Sequence, residues 1–182
     1  MNHFGVTFDV KNRPCLDSEF MPVLLFNRAF LKTAKKPVSI AVERASGQMA
    51  VYHTFVHGTP EMAEADRYYV NRLVKTALWM KGGFKIYVSD EGVYQALKGD
   101  FCAGGCQDFD FDYMANVFEH PFEIVLTSDI PQAKDSPKAM GGHLKGSRIG
   151  FDAGGSDRKV SALIDGESVY SEEVVWFPNT NS

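Results

Sequence analysis

The sequence predicts a mixed α/β (or α+β) chain in which helices are set among mixed sheets. Three observations carry that expectation. Two β-rich runs, 38–44 and 49–56, flank a short turn containing Gly47. A long amphipathic pattern then covers 59–81. Three more strand-like runs, 148–153, 158–165 and 168–177, follow a stretch rich in Gly, Pro and Lys. Hydrophobic residues make up 45% of the 182, enough to bury a core in one or two small domains.

Taken in order, residues 3–10 alternate and are rich in Phe and Val, which predicts a strand. Residues 21–35 carry Val23, Leu24, Leu25, Phe26, Phe30 and Leu31 and predict a helix. The runs around Ala45-Ser46-Gly47-Gln48 predict a hairpin. In 59–81, Thr59 suits an N-cap and Pro60 the first helical position. Tyr69, Val70, Leu73, Val74, Ala77 and Leu78 form one apolar stripe, and Gly82-Gly83 ends the helix. A short strand at 84–88, helices at 91–98 and 113–119 and a strand at 121–127 complete the first part. The change of character at 131–146 predicts a linker, dividing an N-terminal domain at 1–130 from the three strands of 148–182, with 131–147 between them. Asp165-Gly166 is a hairpin turn signal.

Composition excludes several classes. The formal net charge is −4 and no long basic run is present, which argues against a dedicated nucleic-acid surface. Three cysteines, Cys15, Cys102 and Cys106, do not make a disulfide framework. No apolar run approaches the roughly 20 residues of a membrane span, and the N-terminus does not read as a signal peptide, so a cytoplasmic location with no membrane partner is expected.

The stretch with the most chemistry is 152–159. Gly154 and Gly155 can take positive φ and expose backbone N–H groups, Ser156 adds a hydroxyl donor, and Lys159 a compact cation suited to a phosphate oxygen. Asp152, closing a strand, is placed to hold Mg²⁺ through water. A strand on each side is the wrong setting for a Walker loop, which opens a helix, and for the dinucleotide fingerprint. On the residues alone, a plain Gly-Gly hairpin turn is the alternative.

The wider pattern resembles the opening of ROK-family sugar kinases (repressors, open reading frames and kinases) and, more broadly, the actin, hexokinase and heat-shock-70 ATPase superfamily. The first phosphate motif of that family, Asp-x-Gly-Gly-Thr-x-x-Lys, is filled by Asp152, Gly154, Gly155, Ser156 and Lys159, with Ser in place of Thr. The run from Val160 to Glu167 resembles the second strand and turn of the family, and Val169 to Trp176 the third strand. The resemblance covers about a fifth of the chain. It implies the start of a ribonuclease H-like lobe, with ATP and Mg²⁺ as cofactors and a sugar as phosphoryl acceptor. The catalytic Asp, the second phosphate motif and the adenosine motif of the family have no counterpart here. The resemblance therefore assigns no catalytic residue to this chain, and implies an N-terminal fragment that is inactive alone. A non-catalytic sugar- or nucleotide-sensing regulator, or a repressor of the same family, is the alternative. Exposed edges of an unfinished sheet favour pairing with another chain.

Residues 1–130 read either as an unrelated α/β domain or as a degenerate ribonuclease H-like lobe. Gly5-Val-Thr-Phe-Asp9 echoes Ile149-Gly-Phe-Asp152, but Val10-Lys11-Asn12-Arg13 lacks glycine. His53 and His57, four apart along a strand, are separated by about 13 Å and do not share an ion. Cys102 and Cys106 offer only two ligands. Asp108-Phe-Asp-Phe-Asp-Tyr113 reads as a half-buried edge, with a cation or sugar site as the alternative, and Tyr68, Tyr69, Trp79 and Met80 as core.

Overall fold

A computed structural model describes residues 1–13, 15–17, 20–135 and 141–178. The chain forms two compact units, Met1–Ser136 and Pro137–Ser182. The secondary structure is mixed, with four α-helices and mixed sheets among the described residues.

The first unit begins with β1 (Asn2–His3) and β2 (Val6–Thr7), a hairpin of its own. The expected single strand over 3–10 is therefore broken. Phe4 and Gly5 take φ of 53° and 81°, the left-handed pair that a two-residue hairpin turn requires. Val6 and Phe8 are buried, and the Phe8 ring meets Phe26 edge-on at 6.1 Å. Helix α1 (Val23–Thr33) buries Phe26 and Phe30, one turn apart on one face.

Strands β3 (Lys36–Arg44) and β4 (Gln48–Val56) pair from Lys36↔Val56 to Arg44↔Gln48, a longer hairpin than the sequence marks. The expected helix start at Thr59 is a 3-10 turn over Pro60–Met62 without a Thr59 side-chain cap. Helix α2 proper spans Ala63–Lys81 and stops at Gly82, φ 75°. Strand β5 (Lys85–Val88) adds antiparallel to β3. Helix α3 (Glu91–Asp100) is capped by Asp90, whose carboxylate accepts from Val93 N at 3.0 Å. Helix α4 (Asp108–Phe118) starts five residues before the expected 113. β6 (Glu123–Leu126) then pairs parallel to β5, completing a sheet of order β4-β3-β5-β6.

Burial explains this arrangement. Val38, Ile40 and Val42 of β3, Ile86 and Val88 of β5, Val70, Val74 and Leu78 of α2 and Leu97 of α3 share one core with Phe26 and Phe30. Each is nearly or fully removed from water, and at about 25 cal/mol per Å² such burial is the main stabilising term. The expected linker begins inside this unit. Lys134 exchanges two backbone hydrogen bonds with Met49, and Asp135 pairs with Arg44 at 3.1 Å. Residues 136–140 of that expected linker, and 179–182 of the expected last segment, lie outside the described residues.

The second unit is an antiparallel meander of β7 (Ser147–Ala153), β8 (Asp157–Ile164) and β9 (Glu167–Val175). Asp165 and Gly166, φ 50° and 89°, make the expected two-residue turn. Ala162 faces Tyr170 but Leu163 faces Ser168, so Val169 is the extra residue of a bulge. Ile149, Phe151, Ile164 and Tyr170 are each more than half exposed, on a sheet with little core of its own.

Candidate functional site

The hairpin joining β7 to β8 places all five residues of the expected phosphate loop at one end of the meander. The register Asp152↔Lys159↔Glu173 runs across all three strands, so these side chains stand in one row on one face. Asp157, two residues before Lys159 on β8, points to the same face. Lys159 Nζ lies 3.3 Å from Asp157 Oδ2 and 3.7 Å from Glu173 Oε1. The hydrogen bond and charge of Asp157, and then the charges of Glu173 and Asp152, hold the Lys159 ammonium above its ordinary pKa. Arg158 pairs with Ala153 and Val174 and stands on the opposite face.

The two glycines differ in what they do. Neither takes the positive φ expected of them. A Cβ at Gly154 would stand 2.8 Å from both the carbonyl oxygen and the Oδ1 of Asp157, so close approach is what requires glycine there. A Cβ at Gly155 would meet nothing within 4 Å. The loop is tied from below by a residue to which the sequence assigned no role. The Trp176 indole N–H donates to Gly154 O at 2.8 Å, and its backbone N–H donates to Ser156 O at 3.0 Å. The Gly154 and Ser156 carbonyls are therefore occupied. Among the described residues, the N–H groups of Gly155 and Ser156 and the Ser156 hydroxyl have no partner.

This donor set suits phosphate oxygens, but its charge balance adds a condition. Asp152, Asp157 and Glu173 outnumber Lys159 on the shared face, so a bare phosphate meets net repulsion. A phosphate carrying Mg²⁺ does not, because the ion brings compensating charge and Mg²⁺ is usually held by one or two carboxylates together with the phosphates. The described residues hold no cluster of three or more His, Cys, Asp or Glu arranged to bind a metal without such help. The residues therefore fit a Mg²⁺–phosphate pair better than either group alone.

Other expected candidates fall into structural roles. His53 Nδ1 lies 2.8 Å from Ser39 Oγ. His57 is held between Asp66 (3.0 Å) and Thr33 (2.9 Å) with its ring edge-on to Phe30. Asp110, within the run expected as a strand edge, is buried and pairs with Lys75 at 2.8 Å and the Trp79 indole N–H at 2.7 Å. Tyr69 is core as expected, but Trp79 and Met80 are 50% and 74% exposed, and Trp79 stacks with Phe109 and Tyr113 instead. Cys102 and Cys106 are free thiols. Cys106 sits 3.7 Å from Asn71 Nδ2, and burial, followed by the neighbouring Asp100 carboxylate, raises its pKa.

Below the Cys106 loop lies a network with no local sequence signal. Arg67, Asn71 and Lys75 recur every fourth residue along α2 and reach across to the end of α3 and the start of α4. The Asp100 carboxylate, 1% exposed as a residue, accepts from Arg67 Nε at 2.8 Å, from Arg67 Nη2 and from Asn71 Nδ2 at 2.7 Å. Gln107 joins Asn71 to Lys75. Burial works against the Asp100 charge, but the Arg67 and Asn71 hydrogen bonds outweigh it and its pKa falls below the ordinary value.

Comparison of the chain with family models, with curated proteins and with solved structures returned no match.

Proposed function

We propose that residues 148–177 are the nucleotide-phosphate end of an ROK-like, ATP-dependent sugar kinase, with the meander as the opening of a ribonuclease H-like lobe. The observation that carries this reading is the Asp152–Lys159–Glu173 row beside a glycine hairpin in which the N–H groups of Gly155 and Ser156 are unpartnered while the Gly154 and Ser156 carbonyls are tied to Trp176. Mg·ATP supplies the phosphoryl group when bound. Gly155 and Ser156 donate N–H groups to phosphate oxygens, the Ser156 hydroxyl adds a third donor, and Lys159 places a point charge beside them. Asp152 orients the metal through its waters. Such positioning and charge stabilisation is what phosphoryl transfer asks of a protein. Under this reading no base for the sugar hydroxyl and no adenosine pocket are assigned among the described residues. The largely exposed apolar side chains Ile149, Phe151 and Ile164 support a sheet that takes cover from a further element.

A second reading, a nucleotide- or sugar-sensing regulator of the same family without catalysis, draws support from Lys159 being already paired with Asp157 and Glu173. Turnover separates the two. In a protein carrying the complete lobe, Asp152→Ala and Lys159→Ala each abolish ATP-dependent sugar phosphorylation and leave the fold intact. A variant that phosphorylates at the wild-type rate refutes these roles. Binding of Mg·ATP without any turnover in the wild type favours the regulator. On the 182-residue chain alone, calorimetry is expected to detect no strong Mg·ATP binding, and micromolar binding overturns the half-site assignment.

A further inference from the structure

Helix α4 buries Asp110 and Met114 against the first unit. Phe109, Tyr113 and Val117, spaced four apart, form a second apolar stripe along the same helix. They are 64%, 42% and 56% exposed. Trp79 of α2, half exposed, continues the stripe. Its ring lies 6.4 Å from Phe109 and 5.3 Å from Tyr113, at interplanar angles of 2° and 18°. Phe109 and Tyr113 are 5.6 Å apart at 18°. Three nearly parallel rings thus stand together at the surface. Contiguous apolar exposure of this kind marks an interaction site, where singly scattered residues do not.

The patch is ordered before anything docks on it. The Trp79 indole N–H donates to Asp110 Oδ1 at 2.7 Å, and Lys75 Nζ lies 2.8 Å from Asp110 Oδ2. Rings held by such bonds and by mutual stacking lose little freedom on association. Along α4, Phe109, Asp112, Tyr113, Asn116 and Val117 line a shallow groove of about 310 Å³. Among the described residues, the side chains of Asp112 and Asn116 have no hydrogen-bond partner.

The stripe is complementary to itself. When a second α4 lies antiparallel on the first, with a two-fold axis at Tyr113, position 109 meets position 117 and 113 meets 113. Each bulky Phe109 ring then faces a small Val117 side chain. In the neighbouring row, each Asp112 carboxylate comes to the Asn116 amide of the other copy, acceptor to donor, and not to a second carboxylate. A two-fold interface demands this reciprocity, residue i meeting j and j meeting i. The area agrees. A whole aromatic side chain buries about 150–250 Å², so the exposed parts of Trp79, Phe109, Tyr113 and Val117, with Asp112 and Asn116 beside them, amount to about 600 Å² per copy. The total of about 1,200 Å² reaches the lower end of specific interfaces. A small ligand seated in the groove leaves Trp79 in water, whereas a second α4 laid along the stripe covers both.

We propose that the protein self-associates through this patch, as a two-fold dimer in which α4 packs antiparallel on α4 of a second copy. The inference is independent of the phosphate loop, since every residue of the patch lies within the first unit.

The test is sedimentation equilibrium of the 182-residue chain over a concentration series, with thermal unfolding of each variant as the check on folding. The wild type is expected to show a monomer–dimer equilibrium in the micromolar range. Tyr113→Asp raises the dissociation constant at least tenfold. Because Tyr113 also stacks on Trp79, Val117→Asp serves as a second variant and has the same effect with an unchanged unfolding temperature. Asn116→Asp sets a carboxylate against Asp112 of the second copy and weakens the dimer at least threefold at low salt, and less at high salt. Phe151→Ser, on the meander, leaves the dimer unchanged. A monomer at every concentration, wild-type association in Tyr113→Asp or Val117→Asp, no effect of Asn116→Asp, or loss of the dimer in Phe151→Ser each overturns the inference.

Discussion

Replacing Asp100 by Asn tests the network that joins α2 to α3 and α4. The carboxylate is buried and serves Arg67 and Asn71 at once. An amide has the same shape but one acceptor oxygen. If that oxygen serves Arg67, the new NH₂ faces the NH₂ of Asn71, whose residue is 7% exposed. Leaving one buried donor unpaired costs about 1–3 kcal/mol. The Arg67 side chain is 56% exposed and regains water, so its lost ion pair adds less than about 1 kcal/mol. The sum is about 2 kcal/mol, or a fall of about 8 °C in the unfolding temperature of the first unit. The sign with pH follows from the depressed pKa of Asp100 in the folded state. Stability from a depressed carboxylate is present above the unfolded value near pH 4 and is lost as pH falls through the folded value. The gap between wild type and Asp100→Asn, measured by urea unfolding, is therefore full near neutrality and narrows below about pH 4. A gap under about 0.5 kcal/mol at neutral pH, or one that does not change on acidification, refutes the reasoning.

Three further outcomes are expected. Phe30→Ala removes a fully buried ring stacked on Tyr69 at 4.5 Å and edge-on to His57 at 4.7 Å, and lowers the unfolding free energy of the first unit by about 3–5 kcal/mol in denaturant titration. Gly154→Ala drives a Cβ against the Asp157 carbonyl and destabilises the meander by about 1–3 kcal/mol, whereas Gly155→Ala changes its thermal unfolding by less than about 0.5 kcal/mol. Trp176→Phe keeps the backbone tie to Ser156 but loses the indole bond to Gly154, at a cost of about 1 kcal/mol in the same measurement.

The hairpin of β3 and β4, helix α2 and the three strands of the meander were legible because their signals are local: alternation, an apolar stripe, and Gly at the turns. The early start of α4 was not. Asp108-Phe-Asp-Phe-Asp alternates like a strand, yet Asp110 and Met114 also lie one turn apart, and both are buried. Helical spacing brings Asp110 to the Lys75 ammonium and the Trp79 indole N–H, 35 and 31 residues earlier, which no window of sequence displays. The N-terminal strand failed for the opposite reason, since a two-residue turn at Phe4-Gly5 overrode an alternating pattern. Within the expected phosphate loop, the pairing of Asp157 with Lys159 is visible as i, i+2 spacing on a strand. Glu173 and Trp176 enter only once the β8–β9 register, with its bulge, is known.

The chain has two tryptophans, and they fall one to each compact unit. Trp79 is pinned by Asp110 and stacked with Phe109 and Tyr113, while Trp176 is pinned by Gly154. Each unit thus carries its own fluorophore in a distinct polar setting. With Trp79→Phe the emission reports the meander alone, and with Trp176→Phe it reports the first unit alone. The cooperativity of the two halves can be read optically from a pair of single-tryptophan proteins, without any attached dye.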